Sequence, residues 1–329
     1  MSPGARNLIT DVGHILVGNA EDRAARSGTT VVLCERPCVA GVDVRGGAPG
    51  TRETDLLDPT NLVDTVDAVV LCGGSAFGLD AASGAMHWLA GQGRGFAVGP
   101  ARVPIVPAAV LFDLNNGGVK DWGAEPPYRA LGRAACAAAA KDFALGNAGA
   151  GLGARAGAFK GGLGSASVLD ADGLAVGALV AANPVGSPVM GDGPTLWAWP
   201  FELDGEMGHQ RPPLAPVAAH APLGRRPLAG GATTIAVVAT NAELDAAGAR
   251  RVAMMAQDGI ARAIRPAHTL WDGDTVFALA TGAWAAARGP EAIGRAGAMA
   301  ADCLARAVGR AIVLAEDLGD MVSWRTRFP

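Results

Sequence analysis

Two adjacent threonines late in the chain stand where an N-terminal nucleophile would have to lie. Thr233 and Thr234 follow Gly230-Gly231-Ala232 and open the apolar run IAVVAT, which has the composition of a buried strand. If the bond between Ala232 and Thr233 is cut, the freed α-amine lies beside the Thr233 hydroxyl. An α-amine with its ordinary pKa of about 7.7–8.0 is a usable general base near neutral pH. Taken alone, the motif is more typical of a glycine turn before an ordinary strand.

An acidic pair lies at the start of a second strand-like run. Asp272 and Asp274 flank Gly273, and the segment TVFALA follows. Side chains two residues apart in an extended segment point to the same side, so both carboxylates are able to orient a hydroxyl or an ammonium group in one site. The alternative interpretation is an Asp-Gly turn with a capping carboxylate.

Two further polar side chains have neighbours that allow close approach to a reacting centre. Lys160 lies in FKGGLG, where the glycines leave room for its ammonium group to stabilise an anion or to lower the pKa of a nearby amine. Asn183 precedes Pro184 at the end of a predicted strand, where its amide is able to donate to an oxyanion. A solvated lysine on a flexible loop and a plain Asn-Pro turn are the alternatives.

A competing nucleophile is Ser75, in the segment CGGSAFG between a predicted strand and a predicted helix. The segment resembles the nucleophile elbow of α/β-hydrolases, but the elbow motif Gly-x-Ser-x-Gly needs a glycine where this chain has Phe77. A triad would also need a late acid and a late histidine, and His268 is the only histidine after position 220.

Composition limits the class of protein. Of 329 residues, 50% are hydrophobic and 18% are charged, and the formal net charge is −4, so a large core is expected and a nucleic-acid partner is not. We expect no signal peptide, because the opening residues lack a basic segment followed by an apolar one. No apolar run reaches the ~18–20 residues that span a bilayer. Five irregularly spaced cysteines indicate reduced thiols, so we expect a cytoplasmic protein without a membrane partner. Neither the histidines nor the cysteines have metal-ligand spacing, and we expect no metal and no cofactor.

Apolar periodicity predicts strands and helices in close succession, which indicates a layered α/β or α+β fold. A glycine-dense segment at 146–167 is expected to form loops, and a segment rich in proline and glycine at 191–231 is expected to form an exposed, cleavable linker. The predicted strands are 29–33, 68–72, 174–181, 234–240 and 275–280, and the predicted helices are 76–90, 128–143, 245–264 and 290–318.

These motifs together resemble one family over nearly the whole chain, the L-aminopeptidase/D-esterase family, which includes β-peptidyl aminopeptidases and nylon-oligomer hydrolases. The order and spacing of the motifs carry the resemblance. They are NLITDVG (7–13), VGNAED (17–22), VRGGAPG (44–50), CGGSAFGLD (72–80), AGAG (148–151), FKGG (159–162), NPVG (183–186), GATTI (231–235) and DGDT (272–275).

The resemblance implies a single catalytic domain, 1–329, with an α+β fold of the N-terminal-nucleophile-hydrolase type, a four-layer αββα sandwich. It also implies that a precursor cuts itself into 1–232 and 233–329. The same resemblance assigns the nucleophile to Thr233, an acidic pair to Asp272 and Asp274, an oxyanion contact to Asn183 and a site lysine to Lys160.

The chain departs from the nylon-oligomer branch at two positions. Phe77, which we place with Ser75 on the substrate side of the site, stands where that branch can carry a tyrosine, so a phenol contact is missing. Ala232 stands before the predicted scissile bond, where that branch has an asparagine. Ornithine acetyltransferases, which are similar, are cut at an Ala-Thr bond, so alanine is chemically acceptable there.

The resulting hypothesis is a self-processing amide hydrolase that acts through an acyl-enzyme on a small peptide or amide. The resemblance suggests a homo-oligomer, a tetramer of αβ units. Three alternatives stay open: an acyltransferase of the ornithine-acetyltransferase kind, a Ser75 esterase, and a non-enzymatic descendant in which Ala232 blocks maturation.

Overall fold

Strands dominate the computed structural model, which describes residues 1–214, 216–217, 231–284 and 288–329. The strands are β1 (Ile15–Asp22), β2 (Ser27–Val44), β3 (Thr51–Arg52), β4 (Thr65–Cys72), β5 (Phe96–Val98), β6 (Ala101–Val103), β7 (Ala108–Val110), β8 (Arg155–Ala156), β9 (Phe159–Lys160), β10 (Gly162–Leu169), β11 (Ala175–Asn183), β12 (Thr233–Ala242) and β13 (Thr275–Trp284). The α-helices are α1 (Asp80–Gly91), α2 (Tyr128–Ala137), α3 (Ala246–Ala263), α4 (Pro290–Val313) and α5 (Trp324–Arg327). None of these described helices is long and apolar enough to cross a membrane.

The long strand β2 joins the two halves of the main sheet. The sheet order is β10-β11-β12-β13-β2-β4-β7-β3, and β1 also pairs with β2. The first part of β2 pairs with β1, and its last part pairs with β13. The pairing of β2 with β4 shifts register between Leu33 and Cys38, which marks an irregularity between these two parts.

Three separate apolar clusters show that the two halves of the sheet stack as layers. The first cluster joins α3 and α4 to β10–β13, and the third joins α1 and α2 to β1, β2, β4 and β7. The second cluster lies between the halves and contains Leu71 of β4 together with Val237 of β12 and Phe277 of β13. The layers therefore run helix, sheet, sheet, helix, which confirms the predicted α+β class and its αββα order.

Strand β12 shows how the sequence specifies this arrangement. Ala236 and Val238 face the helices, whereas Ile235 and Val237 face the opposite sheet. Both faces are apolar because both are covered, which produces the continuous hydrophobic run IAVV. Helix α3 begins after its N-cap residue, Asp245, whose carboxylate accepts a hydrogen bond from Gly248 N at 2.7 Å and so stabilises the first turn.

The structure corrects several expected boundaries. The strand expected at 29–33 is part of the 18-residue β2, and β10 occupies part of the glycine-dense segment that was expected to be loops. Helix α2 ends at Ala137, not 143, and α4 ends at Val313, not 318. A 3-10 turn, Ser75–Leu79, precedes α1 where a continuous helix was expected.

The expected linker at 191–231 is packed in its first part. Leu196, Ala198 and Met207 are buried against the helical side of the sheet. The segment also contributes a buried carboxylate, because Glu206 pairs with Arg306 of α4 at 2.5 Å. Residue 215 and residues 218–230 lie outside the described part of the chain.

Strand β10 and helix α4 approach so closely that glycine is required between them. A Cβ atom on Gly164 of β10 would overlap the carbonyl oxygen of Ala307 in α4. A Cβ atom on Gly294, which lies in α4, would meet open space. We predict that Gly164→Ala lowers the free energy of unfolding by about 1–3 kcal/mol through overpacking. Gly294→Ala is the control and should be neutral or stabilising, since alanine favours a helix by roughly 1 kcal/mol over glycine. Denaturant melts of both variants measure the difference, and equal midpoints would contradict the close approach.

Candidate active site

Thr233 is buried at the first position of β12, beside the carbonyl group of the predicted scissile bond. Its Oγ1 donates a hydrogen bond to Ala232 O at 2.6 Å. Gly273 N donates to the same oxygen at 2.9 Å. The hydroxyl therefore touches the peptide group that it is predicted to attack. A main-chain N–H already points at the oxygen that would become negative in that attack.

Main-chain pairing holds this geometry in place. Ala232 N donates to Trp271 O at 3.1 Å, and Ala232 forms a parallel bridge with Asp272. The pairing continues as the parallel strands β12 and β13. A Cβ atom on Gly273 would lie 2.9 Å from Thr233 Oγ1 and 2.6 Å from Ala48 O, so only glycine fits in the turn.

Asp274 binds the main chain immediately after the predicted nucleophile. Its Oδ1 accepts a hydrogen bond from Thr234 N at 2.7 Å. Its Oδ2 accepts from His268 N at 3.0 Å and lies 2.8 Å from His268 Nδ1. The carboxylate thus joins the start of β12 to the loop that precedes β13.

Asp272 is fully buried and binds a different segment. Its Oδ1 accepts from Val185 N at 3.0 Å, and its Oδ2 accepts from Thr269 N at 2.9 Å and from Thr269 Oγ1 at 2.5 Å. Burial, and next the charge of Asp274, raises the pKa of Asp272, while these hydrogen bonds oppose the rise. Within the described residues, the hydrogen bonds of the acidic pair go to the segments around Thr233 and not to its hydroxyl.

Asn183 lies directly opposite Thr233, because the two residues are register partners in β11 and β12. Its Oδ1 accepts from Arg155 N at 2.8 Å, and its Nδ2 donates to Phe112 O at 3.1 Å. An amide nitrogen carries two hydrogens, so one donor is left after the bond to Phe112. The predicted oxyanion residue is therefore beside the nucleophile with a hydrogen to give.

Lys160 is fully buried, contrary to the alternative of a solvated loop lysine. Its Nζ donates to Gly151 O at 2.9 Å and to Gly161 O at 2.6 Å. Desolvation lowers its pKa to about 7, and the charge of Asp113 opposes part of this shift. An amine with this pKa changes its charge near neutral pH.

A buried acid that the sequence analysis missed is Asp113. Ser27 Oγ donates to its Oδ2 at 2.7 Å, and Gly74 N donates to its Oδ1 at 2.8 Å. Burial raises the pKa of this carboxyl despite the two donors. Asp113 follows Phe112, whose carbonyl accepts from Asn183, so it belongs to the same region of the molecule. Its only signal in the sequence is an acid directly after the apolar run AAVLF.

Ser75 and Phe77 lie on the turn that Asp113 holds through Gly74. Ser75 has a left-handed backbone, with φ of 53°, and its N donates to Leu111 O at 2.9 Å. Phe77 is 53% exposed and packs edge-on against Trp122, with ring centroids 5.9 Å apart. Both residues therefore follow the glycine that Asp113 binds, and Phe77 presents a hydrophobic surface and no hydroxyl.

His268 and Thr269 are further site residues that sequence analysis missed. His268 was considered only as a late histidine for a Ser75 triad, and its ring instead contacts Asp274. Thr269 precedes Asp272 by three residues, a spacing at which a hydroxyl and a carboxylate often meet in a turn. Among the described residues, no cluster of three or more His, Cys, Asp or Glu side chains forms a candidate metal site.

Solved structures share this architecture. The β-aminopeptidase of a Burkholderia species aligns with a TM-score of 0.72 and 24% identity, over 99% of this chain and 93% of that chain. The L-aminopeptidase D-Ala-esterase/amidase of Ochrobactrum anthropi aligns with a TM-score of 0.71 and 23% identity, over 98% and 91% of the two chains. The latter is described as a variant of the Ntn-hydrolase fold. The fold is thus of the N-terminal-nucleophile-hydrolase type, as the sequence motifs predicted.

Sequence relatives define the family. The model of Peptidase family S58 matches residues 7–323. An uncharacterized aminopeptidase of Mycobacterium bovis is 48% identical over an alignment of 347 positions, gaps included, which covers 98% of each chain. The 6-aminohexanoate-oligomer endohydrolase of a Kocuria species is 30% identical over an alignment of 288 positions, which covers 85% of this chain and 76% of the other. The chain belongs to peptidase family S58, and this membership supports the hydrolysis of amide bonds.

The hydrogen bonds of the acidic pair generate a first prediction for the site. Both oxygens of each carboxylate accept hydrogen bonds from main-chain N–H groups, but an Asn side chain has only one accepting oxygen. Asp272→Asn and Asp274→Asn therefore each leave at least one of these N–H groups without its acceptor. We expect either substitution to slow self-cleavage or turnover tenfold or more, which is about 1.4 kcal/mol of barrier. Gel-resolved cleavage rates and steady-state kinetics measure this. The exposed Asp121→Asn is the control, and wild-type rates in both site variants would reduce the pair to a structural turn.

Lys160 generates a prediction about pH. The unfolded chain keeps the proton of this lysine up to its ordinary pKa of 10.5, whereas the folded chain releases it at about 7. Between these values the unfolded state binds more protons, so the free energy of unfolding rises with pH. Lys160→Met should remove this rise. Denaturant titrations at several pH values give the free energy of unfolding of Lys160→Met, of wild type and of the control Lys141→Met, whose lysine is exposed. If the free energy of unfolding depends on pH in the same way for wild type and Lys160→Met, the proposed effect of burial is wrong.

Proposed function

We propose that the chain is the precursor of an N-terminal-threonine amide hydrolase, cut by its own Thr233 at the bond after Ala232. The observation that carries the proposal is the convergence of Thr233 Oγ1 and Gly273 N on the carbonyl oxygen of Ala232. Membership of an amide-hydrolase family and a matching fold support it. A plain strand start would not require a glycine pressed against the hydroxyl.

The proposed cleavage is an N-to-O acyl shift. Thr233 Oγ gives up its proton and attacks the Ala232 carbonyl carbon, and the Gly273 N–H stabilises the negative oxygen of the tetrahedral intermediate. Collapse breaks the C–N bond, the nitrogen takes up that proton to become the free α-amine of Thr233, and the 1–232 segment remains as an ester on Oγ. Water then hydrolyses the ester, which restores the Thr233 hydroxyl and leaves a carboxyl group on Ala232. The Ala232 side chain takes no part.

In the mature enzyme, the Thr233 amine is the general base. It takes the hydroxyl proton, directly or through a water, while Oγ attacks the substrate carbonyl. The remaining amide hydrogen of Asn183, across the strand pair, stabilises the oxyanion, and one such donor is worth ~3 kcal/mol of barrier. The amine then protonates the leaving group, and water releases the acyl group from the enzyme.

Lys160 and the acidic pair support this chemistry in different ways. A buried lysine that titrates near pH 7 adjusts the proton affinity of a nearby amine through its charge. Asp274 fixes the main chain after the nucleophile, and Asp272 fixes the loop after Asn183 through Val185. The carboxylates thereby align Thr233 and Asn183 across one strand pair.

The proposed substrate is a small peptide or amide, with the surface around Ser75 and Phe77 on its side of the site. A relative that is 48% identical is named an aminopeptidase, and a 30% identical relative is named a 6-aminohexanoate-oligomer endohydrolase. The greater identity favours aminopeptidase activity for this chain. A homo-oligomer of αβ units stays a prediction that sedimentation of the mature protein would test. A cytoplasmic location also stays a prediction.

The alternatives differ in measurable ways. An acyltransferase would use the same threonine with an amine in place of water. The two relatives named above, an aminopeptidase and an oligomer endohydrolase, both carry the names of hydrolases. A Ser75 esterase of the α/β-hydrolase type does not suit a four-layer sandwich in which the late histidine binds Asp274. A non-enzymatic descendant would remain a single chain.

The nucleophile is tested by three substitutions at one position. Thr233→Ala should stay folded, uncut and without amidase activity, because it has no hydroxyl. Thr233→Ser should still cut, since the acyl shift needs only a hydroxyl, and Thr233→Cys should cut but hydrolyse amides poorly. Intact mass under denaturing conditions measures cleavage, and N-terminal sequencing should find Thr-Thr-Ile-Ala in the smaller piece.

Ser75→Ala provides the opposing test. It should leave cleavage intact, because Ser75 only begins the turn before α1. An active, uncut Thr233→Ala protein together with an inactive Ser75→Ala protein would overturn the proposed function.

A further inference from the structure

His268 is an ionisable residue that contacts the proposed machinery directly and that the mechanism above does not use. Its Nδ1 lies 2.8 Å from Asp274 Oδ2, and its main-chain N donates to the same oxygen at 3.0 Å. The residue adopts a left-handed backbone, with φ of 56°. A non-glycine residue in that region is uncommon and is stable only when its surroundings hold it.

The two ring nitrogens of His268 have different surroundings. Nε2 is buried and has no hydrogen-bond partner among the described residues. An ionised carboxylate oxygen can only accept a hydrogen bond, so Nδ1 carries the hydrogen in the contact with Asp274.

We propose that His268 is a positioning residue for the nucleophile and acts through Asp274. The inference rests on the proposed function. The Nδ1–H, together with the main-chain N–H of His268, fixes the rotation of the Asp274 carboxylate through Oδ2. The other oxygen of that carboxylate then accepts a hydrogen bond from Thr234 N at 2.7 Å. Because Thr234 directly follows Thr233, this chain of two hydrogen bonds sets the direction of the first residue of β12.

The surrounding loop makes the connection stiff. The main chain of the acidic loop is held by the segment that follows β2, because Asp274 O accepts from Arg45 N at 3.0 Å and Asp272 O accepts from Ala48 N at 2.9 Å. The Asp274 carboxylate is also bound by the main-chain N–H groups of Thr234 and His268. The imidazole adds a third hydrogen bond, to Oδ2, and so restricts the rotation of the carboxylate further.

Matched substitutions separate the two ring nitrogens. In His268→Asn, the amide Nδ2 takes the place of Nδ1, and asparagine tolerates the left-handed backbone. In His268→Gln, the amide lies near the position of Nε2 instead. His268→Ala removes both nitrogens, and the exposed His87→Ala controls for the loss of a histidine elsewhere.

We expect His268→Ala and His268→Gln to lower the first-order self-cleavage rate and kcat tenfold or more, with a smaller change in KM. His268→Asn should restore most of both rates. The readouts are gel-resolved cleavage, kcat and KM on a small amide, and the melting temperature. If His268→Ala does not fold, the comparison of Asn with Gln carries the test, because both carry an amide.

Two outcomes would overturn the inference. Rates that are retained in Gln and lost in Asn would assign the role to Nε2, and rates that follow melting temperature alone would make His268 structural. Failure of the proposed function is a separate result, since a wild-type chain would then show no new N-terminus at Thr233.

Discussion

The hydrogen bond from Gly273 N to Ala232 O is the contact on which the site depends. It requires the loop before β13 to run alongside the start of β12, which the parallel pairing of these strands ensures. It also requires close packing on the other side, where a Cβ atom on Gly46 would overlap the carbonyl oxygen of Asp272. Glycines at 46 and 273 thus permit a main-chain approach that no side chain would allow.

The arrangement buries four ionisable side chains, which lowers the stability of the fold unless each is hydrogen-bonded. Asp113, Lys160, Asp272 and Asp274 are all at most 3% exposed. Desolvated ionisable groups destabilise a fold unless they are hydrogen-bonded, and each of these four receives or gives at least two hydrogen bonds. Most of the partners are main-chain N–H and C=O groups, which cannot rotate away. Main-chain partners of this kind are the preorganised donors and acceptors that electrostatic stabilisation of a transition state requires.

The sequence predicted those parts of the molecule that leave a local pattern. The run IAVVAT and the capped helix after Asp245 have strong periodicity, and both appear within two residues of the expected bounds. Strand β10 was missed because its sequence, GLGSASVL, lacks the bulky residues that normally mark a strand. Its small residues exist for contact with α4, and that requirement comes from tertiary packing and not from the strand itself.

The residues of the candidate site also divide into those that the sequence indicated and those that it did not. Thr233, Lys160, Asn183 and the acidic pair lie in motifs that resemble a family, so their types and order indicated a shared site. Asp113 and His268 were missed because each is a single polar residue whose role arises from a partner distant in the chain or across a turn. Asp113 meets Ser27 across 86 residues, and no local spacing encodes that contact.

Ala232 is bound to the neighbouring loop through its main chain. The residue is fully buried, and its hydrogen bonds run through its N to Trp271 O and through its O from Gly273 N. Both contacts are independent of the side chain before the bond. An alanine there is therefore compatible with the proposed cleavage, because the attacking hydroxyl, the polarising N–H and the strand pairing all act on the peptide group. The same argument explains why the departure from asparagine need not block maturation, since alanine leaves that peptide group with both of its partners.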